Sequence, residues 1–67
     1  MVAIKSTSPE GTYYLVNGWE KHKAFWSKWL DPVKCGFKTA GLAKRSLRHL
    51  LEIMPEYAED KIDIVEA

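Results

Sequence analysis

The sequence predicts an α+β fold, a two-layer sandwich in which one helix covers one face of a mostly antiparallel sheet of three to four strands. Apolar residues recur two positions apart near both ends of the chain, at Val2 and Ile4 and at Ile62 and Ile64, as they do in strands. Residues 40–54 repeat their apolar side chains at steps of three and four, the spacing of an amphipathic helix. The predicted element order is β-β-β-α-β, in one domain of 67 residues.

A β-hairpin is predicted for residues 2–16. Val2 and Ile4 supply the period-two pattern of its first strand. Pro9 and Gly11 fit the second and fourth positions of a type I turn over residues 8–11. Residues 12–16 (TYYLV) are aromatic or branched, a composition typical of strands.

Residues 19–30 fit two secondary structures. The Asn17–Gly18 pair predicts a turn, because both residue types tolerate a positive φ, and a turn favours a returning strand over roughly 23–30. As a helix, the same residues would form a broad amphipathic stripe. We favour the strand and expect surplus tryptophans on the uncovered face of the sheet. Asp31–Pro32 ends either element, and residues 33–38 are interpreted as an irregular return.

The helix over 40–54 has a predicted start, an apolar face and a stop. Thr39 is the expected N-cap, and Pro55 ends the helix. The apolar face carries Ala43, Leu47, Leu50, Leu51 and Met54, and the opposite face carries Lys44, Arg45, Arg48, His49 and Glu52.

A family resemblance rests on the entry to this helix. The strand–turn–strand unit followed by residues 36–40 (GFKTA), Ala43, Leu47 and Leu50 resembles small phage-type proteins built as a β-meander, a helix and a strand. A similar entry occurs in sheet-plus-helix DNA-binding domains of the integrase-arm type. The match covers about fifteen residues, whose Phe, Thr and Ala have structural roles. It implies the fold and no functional residue, and the acidic end of the chain departs from the DNA-binding pattern.

The amino-acid composition restricts how the domain can be stabilised and indicates the cellular compartment in which we expect it. Cys35 is the only cysteine, so no intrachain disulfide forms, and a lone thiol fits a reducing compartment. Eight aromatic rings supply core mass instead, each burying roughly 150–250 Å², and a homodimer is an alternative source of stability. No apolar run approaches the ~20 residues that span a bilayer, and residues 1–5 show no targeting pattern. We expect a cytoplasmic protein.

Charge is segregated along the chain although the net charge is only +1. Residues 21–48 contain eight Lys or Arg side chains and one acid, Asp31, whereas residues 52–67 contain six acids and Lys61. Such blocks steer a charged partner. Alternatively, the two blocks face each other in the fold and partly neutralise.

The sequence predicts neither an enzyme nor a cofactor or metal site. Soft metal ligands are limited to His22, Cys35 and His49, without the paired spacings of zinc sites. Lys34 and Lys38 would favour a Cys35 thiolate, but no base or oxyanion hole is recognisable, and we interpret Cys35 as an inert thiol. The acidic end lacks a calcium-loop pattern, and no phosphate-binding glycine loop is present.

The basic and aromatic residues of segment 21–48 instead predict a non-catalytic binding or accessory protein. Tryptophan and arginine are enriched at protein-binding hot spots, so a protein partner is the favoured ligand. Nucleic acid is the alternative, because lysines hold phosphates and rings stack on bases. The candidate contact residues are Lys23, Trp26, Lys28, Trp29, Lys44, Arg45 and Arg48.

Overall fold

The computed structural model describes residues 1–21 and 23–67, and it has the predicted α+β architecture. The strands are β1 (Val2–Ser8), β2 (Gly11–Leu15), β3 (Trp26–Ser27) and β4 (Lys61–Glu66). The helices are α1 (Pro32–Cys35) and α2 (Ala40–Ile53), and 3-10 segments cover Trp19–Lys21 and Pro55–Glu59. The four strands form an antiparallel sheet in the order β3-β2-β1-β4, with α2, the main helix, packed on one face.

The predicted hairpin and the C-terminal strand are confirmed. β1 pairs with β2 from Lys5↔Tyr14 to Ser8↔Gly11, which leaves Pro9 and Glu10 as the turn. On its other side β1 pairs with β4 from Val2↔Glu66 to Thr7↔Lys61. Ala3 and Ile4 of this central strand are both fully buried, and since successive strand residues point to opposite faces, both faces of the sheet are covered at this point of β1.

The predicted strand over 23–30 is wrong for most of its length, and so is the helical alternative. Only Trp26 and Ser27 pair with β2, opposite Leu15 and Tyr14 respectively. The turn at Asn17–Gly18 is present, with Gly18 at φ 75°, but it leads into a 3-10 turn because the Trp19 side chain enters the core, where it is 2% exposed.

Helix α1 is a short element that overlaps residues 33–38, for which the sequence predicts an irregular return. Asp31 is its N-cap, with a carboxylate oxygen accepting from the backbone N–H of Val33 at 2.9 Å, and Pro32 takes the first helical position. Gly36 ends the helix, and a Cβ there would collide with the carbonyl oxygen of Pro32. The Asp-Pro pair therefore starts a helix as well as ending the preceding segment.

Helix α2 matches its prediction to within one residue. The Thr39 hydroxyl oxygen accepts from the N–H of Leu42 at 3.2 Å, as an N-cap should. Ala43, Ser46 and Leu50 are its buried residues. Among the described residues, no helix is both long and apolar enough to cross a membrane.

A buried polar chain ties Trp19 to α2. The Trp19 indole N–H donates to the Ser46 hydroxyl at 2.8 Å, and that hydroxyl donates to a Glu20 carboxylate oxygen at 3.0 Å. The His49 ring stacks on the Trp19 ring with centroids 5.4 Å apart. Trp19 thus packs in the same core as Ile4 and Leu50.

The uncovered face of the sheet carries no tryptophan among the described strand residues, contrary to expectation. The pairing register places Lys5, Tyr14, Ser27 and Asp63 in one row on that face. Trp26 pairs directly with buried Leu15, and paired residues of antiparallel strands point to the same side. Trp26 therefore lies on the helix side of the sheet.

Replacing Ser46 by alanine should lower the free energy of unfolding. The change leaves the buried Trp19 N–H without its acceptor, which costs about 1–3 kcal/mol, while the better helix propensity of alanine returns about 0.5 kcal/mol. Urea denaturation should show a net loss of about 1–2 kcal/mol. Lys44→Ala, on the exposed side of the same helix, is the control and should stay within about 0.5 kcal/mol. An equal effect of both variants would contradict this role of Ser46.

Candidate partner-binding surface

The segment 23–34 carries the largest exposed aromatic side chain of the described residues. Trp29 is 78% exposed, Phe25 is 57% exposed and Val33 is 87% exposed. The lysines Lys23, Lys28 and Lys34 along the same segment are also exposed. Apolar rings and cationic side chains thus alternate over one short stretch of surface.

The backbone that presents Trp29 is fixed by hydrogen bonds on both sides. The Ser27 hydroxyl donates to the Trp29 carbonyl oxygen at 2.9 Å and accepts from the Trp29 N–H at 3.1 Å. Beyond the ring, the Asp31 cap orders the start of α1. The Trp29 ring is therefore held in water by an ordered backbone, which reduces the entropy lost on binding.

Val33 of the same segment also lines an apolar groove. The groove, of about 720 Å³, is also lined by Met1, Phe37, Lys38 and Leu42. An adjoining groove of about 550 Å³ shares Phe37 and Leu42 and ends at Arg45 and His49. Phe37 and Leu42 therefore connect two grooves between α1 and α2, whose charged lining residues are Lys38, Arg45 and the acidic Glu20.

The structure divides the predicted contact residues among four places, the last of which is the pocket that holds Trp26. Lys23, Lys28 and Trp29 stay together on segment 23–34, and Arg45 lines the adjoining groove. Lys44 and Arg48 lie elsewhere, in a shallow groove of about 400 Å³ that Leu47 and Leu51 also line. The single basic-aromatic patch over 21–48 is therefore interrupted.

Trp26 belongs to none of these grooves. It is half-buried and lines a separate pocket whose charged residues are Glu10 and Asp60. Its indole N–H is buried and has no hydrogen-bond acceptor in the described part of the chain. The register of β3 turns this ring toward the helix side of the sheet, so Trp26 lies apart from the lysines with which it was grouped, and its role as a contact residue stays a prediction.

Sequence reasoning missed Val33 and Leu42 as surface residues. Leu42 is 46% exposed and out of step with the buried stripe of Ala43, Ser46 and Leu50. The position of Leu42 off the buried face of the helix could have predicted its exposure from the sequence. Val33 gave no such signal, because its exposure depends on how α1 crosses the end of the sheet.

Cys35 and the histidines form no reactive cluster in the described residues. The Cys35 side chain is fully buried at the end of α1. His49 stacks on Trp19, and His22 lies outside the described residues. Within residues 1–21 and 23–67, no group of three or more His, Cys, Asp or Glu side chains converges to hold a metal ion.

Comparisons of the chain with protein-family models, with curated proteins and with solved structures find no match.

The Cys35 thiol should react slowly with a thiol reagent in the folded protein. Since the side chain is fully buried, access requires opening of the α1 region. At neutral pH, labelling should be much slower than that of free cysteine and should reach the free rate in denaturing urea. Fast labelling of the native protein would contradict the burial and revive a reactive role.

Removing the Trp29 ring should hardly affect stability. Trp29→Ala deletes a side chain that is already in water, so the free energy of unfolding should change by less than about 0.5 kcal/mol. Trp19→Ala, the matched change in the core, should cost about 3–5 kcal/mol or prevent folding. Urea denaturation followed by far-ultraviolet circular dichroism makes the comparison. A large loss from Trp29→Ala would show that the ring is structural.

Proposed function

We propose that this chain is a non-catalytic binding protein that docks on an acidic surface of a protein partner through segment 23–34. One observation carries the proposal: Trp29 is 78% exposed although hydrogen bonds to Ser27 order the backbone around it. An ordered backbone that holds a large apolar ring in water is typical of a contact residue.

Burial of the ring supplies the affinity in this proposal. A tryptophan buries roughly 150–250 Å², and apolar area contributes about 25 cal/mol per Å² when it leaves water. Phe25 and Val33 add apolar area on the same segment. The partner therefore needs an apolar pocket that accepts the Trp29 ring.

The lysines supply the charge preference. Lys23, Lys28 and Lys34 are exposed along the segment, so a partner with carboxylates around its pocket is complementary. Charge pairs at the edge of an interface mainly raise the association rate and the salt sensitivity of binding. We therefore infer a partner whose apolar pocket has an acidic rim.

Two observations favour a protein over a nucleic acid. Val33 of the segment lines a groove together with Leu42, and these aliphatic side chains offer no face for base stacking. Lys44 and Arg48 lie in a separate groove, whereas nucleic-acid binding uses a continuous basic track along the backbone. Nucleic acid remains the competing ligand class, and the experiment distinguishes the two.

Trp29→Ala should abolish capture of a stoichiometric partner. The tagged chain, the variant and an Ile53→Ala control are used to capture proteins from an extract of the source cell. Ile53 is also exposed, at 52%, but lies at the end of α2, so Ile53→Ala should retain the partner. Titration of the purified partner should show at least about a 30-fold loss of affinity for Trp29→Ala, as for a hot-spot residue.

A charge variant and a nucleic-acid assay complete the test. Lys28→Ala should slow association with the partner and reduce its salt dependence while leaving dissociation nearly unchanged. If the wild-type chain shifts single-stranded DNA or RNA at low salt and Trp29→Ala does not, the ligand is a nucleic acid and the proposal is wrong. Equal capture by wild type and Trp29→Ala would also overturn it.

A further inference from the structure

A small pocket on the helix side of the sheet combines three aromatic rings with two carboxylates. Tyr13, Trp26 and Tyr57 supply the rings, and Glu10 and Asp60 supply the carboxylates. The pocket has a volume of about 220 Å³, and two serines of β1 complete its lining. It shares no lining residue with the grooves next to segment 23–34.

Sheet register and a proline-initiated turn bring the rings together. Tyr13 and Leu15 lie two residues apart on β2 and so point to the same face, and Trp26 pairs directly with Leu15. Tyr57 reaches the pocket from the 3-10 segment Pro55–Glu59. Its ring centroid lies 5.4 Å from that of Trp26, with the planes tilted by 60°. Two of the walls are therefore aromatic and set at an angle.

The carboxylates give the pocket its charge. One carboxylate oxygen of Asp60 accepts from the Ser6 hydroxyl at 3.2 Å, which fixes this half-buried side chain to β1. Glu10 is exposed at the hairpin turn. The pocket lining contains neither Lys nor Arg, so the site favours a positive charge, opposite to segment 23–34.

We propose that this pocket binds an alkylammonium group, with a methylated or quaternary amine as the preferred form. The face of an aromatic ring is electron-rich and attracts a cation within about 6 Å of its centroid. A methylated ammonium suits such a site because its charge is spread over apolar methyl groups, which lose little hydration among the rings. The carboxylates add Coulomb attraction from the edge of the cavity.

The lining residues argue against two other kinds of ligand, a metal cation and a neutral apolar molecule. Ca²⁺ takes 6–8 oxygen ligands, and this lining offers two carboxylates and a few hydroxyls among three rings. A neutral apolar ligand would gain no Coulomb attraction from the two carboxylates. An organic cation satisfies both the rings and the acids.

The direct test is a titration with tetramethylammonium chloride, followed by NMR of the ¹⁵N-labelled chain. The three indole N–H groups report on three places: Trp26 on the pocket, Trp19 on the core and Trp29 on segment 23–34. We expect a saturable shift at Trp26 and none at Trp19 or Trp29. The neutral isostere tert-butanol should bind at least about fivefold more weakly, since it lacks the cation–π attraction. Potassium chloride at equal ionic strength is the blank.

Charge-removing variants separate binding from folding. Asp60→Asn keeps an acceptor for the Ser6 hydroxyl, and Glu10→Gln changes an exposed side chain, so both variants should fold. Each should weaken tetramethylammonium binding by about three- to fivefold. Glu52→Gln, an exposed change on α2, is the matched control and should leave binding unaltered.

Two further arms identify the source of the amine. If a peptide carrying trimethyl-lysine binds at least about tenfold tighter than tetramethylammonium and its unmodified-lysine counterpart does not, the natural ligand is a modified protein side chain. If peptide and free cation bind alike, the ligand is a free amine, and the proposal stands in either case. Trp29→Ala should leave all these titrations unchanged, because Trp29 does not line the pocket.

Two results would overturn the inference. One is a response to tert-butanol equal to that for tetramethylammonium, which would mean that charge has no role. The other is a linear drift of all three indole signals that Asp60→Asn and Glu10→Gln do not alter, which would mean that the pocket has no specific occupant.

Discussion

The burial of one indole determines the course of the chain between the hairpin and the main helix. Trp19 is 2% exposed, donates to Ser46 on α2 and stacks on His49. Because this ring occupies the core, the chain leaves the sheet after the Asn17–Gly18 turn, and β3 is limited to two residues. Segment 23–34 then returns at the edge of the sheet, where its remaining aromatic side chains meet water or the neighbouring pocket. Ser46 is essential to this arrangement, since a buried indole N–H needs an acceptor.

The three tryptophans lie in three environments with different chemistry. Trp19 is a core residue, Trp29 stands in water between lysines, and Trp26 lines a pocket with two carboxylates. A basic segment thus lies at the edge of the sheet, and a pocket with the carboxylates of Glu10 and Asp60 lies on its helix side. The two sites proposed above therefore differ in the sign of their charge.

Local patterns were sufficient where secondary structure depends on neighbouring residues. The hairpin, α2 with its Thr39 cap, and β4 all follow from periodicity and capping chemistry. The secondary structure of residues 19–30 could not be assigned in this way, because their apolar pattern fits both a helix and a strand. Which structure forms there depends on the burial of Trp19 in the core. For the contact surface, Lys28 and Trp29 follow from composition. The position of Trp26 depends on a two-residue pairing register, and the exposure of Val33 depends on how α1 packs. Neither property follows from the residues next to it in the sequence.

Trp19 anchors the fold from the core, whereas the Trp29 ring stands in water. Hydrogen exchange of the three indole N–H groups, followed by NMR on the unliganded chain, tests this difference most directly. We expect the Trp29 indole to exchange close to the rate of a free indole and the Trp19 indole to exchange only with global unfolding. Equal protection of Trp19 and Trp29, or faster exchange at Trp19 than at Trp29, would show that Trp19 is not the anchor.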